Sequence, residues 1–122
     1  MRAELRRLHS PDIPDLISYS PPPFEPIGFL LQAMIGPLGS PGEESFDIFV
    51  CTPDWLTKNH SQNEVVLGLH HLVVFNYDIK ALTKFIRGFI AHCEGDSWAD
   101  LAAQLSRLGR WEFDGYRDAS GS

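Results

Sequence analysis

Glu43-Glu44-Ser45-Phe46-Asp47-Ile48-Phe49-Val50-Cys51-Thr52-Pro53-Asp54-Trp55-Leu56 joins a strand to a helical turn with no linker between them. Phe46, Ile48 and Val50 alternate with Asp47, Phe49 and Cys51, the two-residue period of an extended chain with unlike faces. Thr52 stands where its hydroxyl would cap a helix. Pro53 suits the first helical position, where a missing N–H loses nothing, and Asp54 meets the positive helix end. Trp55 and Leu56 follow, apolar bulk expected to turn back onto a core.

Upstream, Ile27–Ile35 predicts a strand with Phe29, Leu31, Ala33 and Ile35 on one face. The Gly/Pro-rich run 36–42 then folds it into an antiparallel hairpin with residues 44–51. Ala3–His9 predicts the first strand, its alternation blurred at Arg7 and Leu8. Between them, Pro11, Pro14 and Pro21-Pro22-Pro23 exclude a hydrogen-bonded ladder from residues 10–26. A loop of that length either packs extended over the sheet or takes part in recognition.

Downstream, residues 57–64 are polar, and 65–77 predicts a buried strand, clearest from Leu69 to Phe75. Asp78 caps a helix whose apolar face is Ile79, Leu82, Phe85, Ile86, Phe89, Ile90 and Cys93, ending by Gly95. Ser97 and Asp100 form a capping box for a second helix, with Trp98, Leu101, Leu105 and Leu108 inward and Gly109 as its stop. Trp111-Glu112-Phe113 predicts a last short strand. The fold class is therefore α+β: a mainly antiparallel sheet of about four to five strands, two helices packed on one face, and a short helical turn after the third strand. Residues 1–118 are expected to form a single domain and 119–122 a flexible tail. Phe49 and Cys51 require partial cover on the second sheet face as well, from the proline loop or from a partner.

A chain of 122 residues with 43% hydrophobic content buries an ordinary core without staples. It carries no apolar run of membrane-spanning length, and its N-terminus has no apolar signal region, so a cytoplasmic location away from membranes is expected. Cys51 and Cys93 are then expected as free, buried thiols. The net charge of −6 is placed unevenly. Residues 1–10 hold three arginines and one glutamate, residues 11–78 nine acids and one lysine, and residues 79–122 six of each sign. An acidic middle of this kind would repel nucleic acid and steer a basic protein toward itself; solubility alone is the alternative explanation.

The groups that carry chemistry are sparse. Adjacent strand residues His70 and His71 would point to opposite faces and so could not hold one metal together. No short-spaced pair of ligands is present to nucleate a zinc site. There is no nucleophile elbow, and neither cysteine sits in a loop beside a base. The glycines of 36–42 are interrupted by prolines and open no helix, so they do not form a phosphate loop. Glu43-Glu44 and Glu112/Asp114 read as solvated acids rather than a catalytic pair. No catalytic, cofactor-binding or metal-binding residue is assigned, and a non-enzymatic protein is expected. Trp55, Trp98 and Trp111 each adjoin a periodic apolar pattern, which predicts core packing.

Several motifs in order carry a family resemblance. Arg2–Leu8 is followed by Gly28-Phe29-Leu30-Leu31-Gln32-Ala33, then by Glu44-Ser45-Phe46-Asp47 and Val50-Cys51-Thr52-Pro53-Asp54-Trp55-Leu56. Ser97-Trp98 and Leu108-Gly109-Arg110-Trp111-Glu112-Phe113 complete the set. The chain resembles the immunity protein eight family of bacterial polymorphic toxin systems over nearly its whole length. The resemblance implies an α+β fold and a cytoplasmic antidote that binds a cognate toxin domain, without catalysis of its own.

A docking mechanism follows from the charge. Asp12, Asp15, Glu25, Glu43, Glu44, Asp54 and Glu64 are the candidate residues for an acidic surface that occludes the basic groove of a toxin such as a nuclease, with Tyr19 and Phe24 as apolar anchors. An interaction module outside toxin defence shares that surface. A small enzyme built on His70 or His71 would instead need a pocket holding an imidazole beside a carboxylate.

Overall fold

A computed structural model describes residues 1–114. Four strands lie in the order β1 (Ala3–His9), β2 (Gly28–Pro37), β3 (Glu44–Cys51), β4 (His71–Val73), and a fifth, β5 (Arg110–Trp111), also pairs with β3. Three helices complete the described residues: α1 (Pro53–Asn59), α2 (Ile79–Ala91) and α3 (Trp98–Leu105). The fold is α+β with a mixed sheet, antiparallel except for the β3–β4 pair. The tail expected at 119–122 and the end of the expected domain, 115–118, lie outside the described residues.

The β2–β3 register explains the core. Phe29 pairs with Val50, Leu31 with Ile48 and Ala33 with Phe46, so the two apolar alternations share one face. That face meets Leu82, Ile86 and Ile90 of α2 and Leu101 and Leu105 of α3, all buried. Burial of each such side chain contributes about 1.5–3 kcal/mol. In β1 the register slips between Leu5 and Arg7. The extra residue returns Leu8 to the face of Leu5, which is why the alternation blurs there.

The other edge of β3 is divided. Its first half pairs with β5 and its last three residues pair in parallel with β4. This shared edge keeps both strands short: β4 covers only His71–Val73 of the expected 69–75, and β5 stops at Trp111 instead of Phe113. His70, at φ 63°, turns the chain into β4 and leaves most of the preceding segment outside the sheet. Val65 and Leu67 are almost fully exposed, where a buried strand was expected.

Asp78 caps α2 through the amides of Lys80 and Ala81, and Ser97 caps α3 through that of Asp100. Helix α2 stops at Ala91, ahead of the glycine expected to end it, and α3 stops at Leu105, after which a turn buries Leu108. Phe85 departs from the expected inward face and is 57% exposed. The proline loop packs at the sheet margin, burying Ile13, Leu16 and Ile27 in the main core. The Tyr77 hydroxyl donates to the Leu16 carbonyl, and the Tyr19 and Tyr77 rings meet edge to face at 4.8 Å.

Candidate protein-docking site

One end of the sheet is closed by Thr52. Its amide donates to the Ile27 carbonyl at 2.8 Å, and its Oγ1 accepts from the Ile27 amide at 3.0 Å. Thr52 occupies the N-cap position of α1, but its hydroxyl makes no cap hydrogen bond, because that oxygen serves Ile27. The expected hydroxyl cap is thus replaced by a clasp that pins the proline loop's exit to the entry of α1.

The loop tip stands directly before that clasp. Pro21, Pro22 and Pro23 restrict their own φ angles, and the Glu25 amide closes a turn onto the Pro22 carbonyl at 3.3 Å. Phe24, inside this turn, sits at φ 65° and is 100% exposed. A left-handed backbone at a bulky residue is unfavourable, and so is a phenylalanine ring left wholly in water. Glu25 is exposed beside it, with no carboxylate partner among the described residues. Across the clasp, exposed Asp54 opens α1.

Four more of the expected residues fall into place around this end or within the loop. Asp12 Oδ2 accepts from the Leu30 amide at 2.9 Å, covering the margin of β2 beyond His9, where β1 ends. Asp15 is held below its ordinary carboxylate pKa by hydrogen bonds from the Ser18 hydroxyl and the Ser18 and Ile17 amides. Glu64 is likewise lowered, chiefly by His60, whose Nδ1 lies 2.6 Å from its carboxylate. The His60 ring contacts Trp55, which lies over Gly28 at the start of β2. Tyr19 packs on Tyr77 rather than standing free.

Glu43 and Glu44 belong elsewhere. They stand at the opposite end of β3, roughly 25–30 Å along the strand from Thr52. Glu43 pairs with Arg7 at 3.1 Å. Glu44 accepts hydrogen bonds from the indole N–H groups of both Trp98 and Trp111. These two indoles are half-buried at the rim of the core, their N–H groups bound to a carboxylate. Trp55 is half-buried on the other sheet face, against Phe49 at 4.7 Å. The structure therefore sets Phe24, Glu25 and Asp54 within three residues of the Ile27–Thr52 clasp and Asp12 against Leu30, leaves Asp15 within the proline loop and Glu64 with His60 beside Trp55, and separates the Glu43-Glu44 pair from them.

Sequence reasoning missed the exposed apolar residues near the same end. Val73 pairs with Cys51, and Phe75, two residues further on, is 86% exposed. Hydrophobicity alone does not distinguish a buried strand from an exposed contact surface, so no local signal marked them.

The imidazoles are occupied by backbone. His70 Nε2 lies 2.7 Å from the Ser106 carbonyl and His71 Nδ1 2.9 Å from that of Leu69. Among the described residues no group of three or more His, Cys, Asp or Glu side chains is placed to hold a metal ion. Cys51 and Cys93 are buried and unbonded to each other, and burial raises both thiol pKa values. No helix among the described residues is long and apolar enough to cross a membrane.

Comparison with known proteins returns no matching curated relative and no matching solved structure. A family model, that of Immunity protein 8, matches residues 3–116, nearly the whole chain. With its motifs in order and its α+β fold, the chain belongs to the Immunity protein 8 family.

Proposed function

We propose that this immunity protein binds a cognate toxin domain of a bacterial polymorphic toxin system in the cytoplasm and blocks its active site, presenting the acidic end around Thr52. Phe24 carries the reading. Its ring is fully in water, on a proline-stiffened turn, at a backbone angle unfavourable for it. Such a ring loses little conformational freedom on docking, and a buried aromatic anchor dominates the energetics of many interfaces. Glu25 beside it, and Asp54 across the Ile27–Thr52 clasp, supply charge for a basic groove, the surface by which a nuclease toxin holds phosphates. Occupying that groove inhibits without any reaction by the immunity protein.

Kinetics of association with the purified toxin domain test this. Phe24→Ala should weaken binding by about 30-fold, mainly through faster dissociation. Glu25→Lys with Asp54→Lys should slow association about tenfold and flatten its dependence on salt. If both variants bind as the parent does, the toxin docks elsewhere.

A further inference from the structure

Helix α2 carries Lys80, Lys84 and Arg87 and no acidic residue, in a chain whose net charge is −6. None of these three, nor Arg107 beyond α3, forms an ion pair among the described residues. Between α2 and the end of α3 runs an open groove of about 640 Å³. Phe85, Gly88 and Phe89 line it together with Lys84 and Arg107, and no carboxylate does. A neighbouring cleft shares Ala81 and Phe85 and extends the apolar surface to Phe75 beside β4.

Gly88 is the independent observation. It lies inside α2, where glycine weakens a helix relative to alanine, and a β-carbon built on it meets no atom within 4 Å. Packing among the described residues therefore gives no reason for a glycine there. A missing side chain between two phenylalanines keeps the groove open to something that enters it.

We infer that the α2–α3 groove is a second protein-docking surface, which takes an acidic amphipathic segment of a partner protein. Apolar side chains of that segment cover Phe85 and Phe89 over Gly88, and its carboxylates meet Lys84 and Arg107. A second copy of this chain is a poorer occupant. Its acidic end would have to meet the basic helix of the first in a head-to-tail contact, a geometry far less common than the two-fold pairing of identical patches. An anionic membrane is poorer too, since the chain as a whole is acidic and the apolar surface is concave. The surface stands whether or not the toxin docks at Phe24.

The test uses a synthetic helical peptide of leucine, alanine and glutamate, and its twin with lysine in place of every glutamate, followed by amide shifts of the full chain. The acidic peptide should perturb Ala81, Gly88 and Gln104 saturably, while the lysine twin does not. Lys84→Glu with Arg107→Glu should weaken that binding at least tenfold. Gly88→Ala should raise the melting temperature by about 3 °C and still weaken binding, which a purely structural glycine would not do. The inference fails if the twin peptides bind alike, if no saturable shift appears in the groove, or if the shifts centre on Phe24. It also fails if light scattering finds a dimer that Phe85→Ala dissolves, or if anionic vesicles compete the peptide away.

Discussion

The Trp55 indole lies so close over Gly28 that a β-carbon there would sit 2.3 Å from its Nε1. Gly28 opens β2 opposite Cys51, and Trp55 covers that corner of the second sheet face together with Phe49. Gly28→Ala must therefore displace the indole. It should destabilise the protein by about 1–3 kcal/mol, measured by urea unfolding, with a shift in Trp55 fluorescence. An unchanged midpoint would mean that the indole moves without loss.

The two indoles on Glu44 make a second expectation. Glu44→Ala leaves the N–H groups of Trp98 and Trp111 without their acceptor, at a cost of about 1–3 kcal/mol. Glu43→Ala removes only an exposed pair with Arg7 and should cost less than about 1 kcal/mol. Equal effects in denaturant titration would remove the structural role of Glu44.

Phe24 should behave in the opposite way. Its side chain is 100% exposed and its φ is 65°, so Phe24→Gly removes an unfavourable backbone angle and no packing. The isolated protein should be unchanged or more stable by up to about 1 kcal/mol, while its toxin affinity falls. A clear drop in melting temperature would show that the ring supports the fold.

Tyr77 links the proline loop to alkaline stability. Burial, with Tyr19 and Asp15 nearby, raises its pKa above the ordinary value of 10.0. The folded state then holds the phenolic proton more tightly than the unfolded chain. The resulting stability is fully present below pH about 10 and is lost as pH rises through the folded pKa. Tyr77→Phe should cost about 1 kcal/mol near neutrality, through the lost bond to the Leu16 carbonyl, and should blunt the alkaline loss in melting temperature. An identical pH profile for the variant would exclude Tyr77 as the source.

Cys51 and Cys93 both titrate above their ordinary range because of burial. Both should react with a thiol reagent at pH 8 at least about 100-fold more slowly in the folded protein than in denaturant. Rapid native labelling of either would mean that its corner of the core opens readily.

Much of the fold was legible because its signals are local. The β2–β3 hairpin follows from two matched alternations across a Gly/Pro turn, and the starts of α2 and α3 from Asp78 and Ser97 bonding amides two or three residues away. The candidate site was only partly legible. Acidity marked Asp12, Asp15, Glu25, Asp54 and Glu64, but equally Glu43 and Glu44, which the strand direction carries to the far end. Val65, Leu67, Phe75 and Phe85 read as interior because apolar character was the only signal they offered.

Element types, caps and apolar alternation could be inferred from residues near in the chain, since they arise from backbone geometry and neighbouring side chains. Which acid faces solvent depended on assembly, because the partners come from far away: Glu44 meets indoles 54 and 67 residues distant. The division of one β3 edge between β4 and β5, and the exposure of Phe24 and Phe85, depended on it too. Those outcomes follow from how strands and helices compete for a limited buried area, and no short window of sequence encodes that competition.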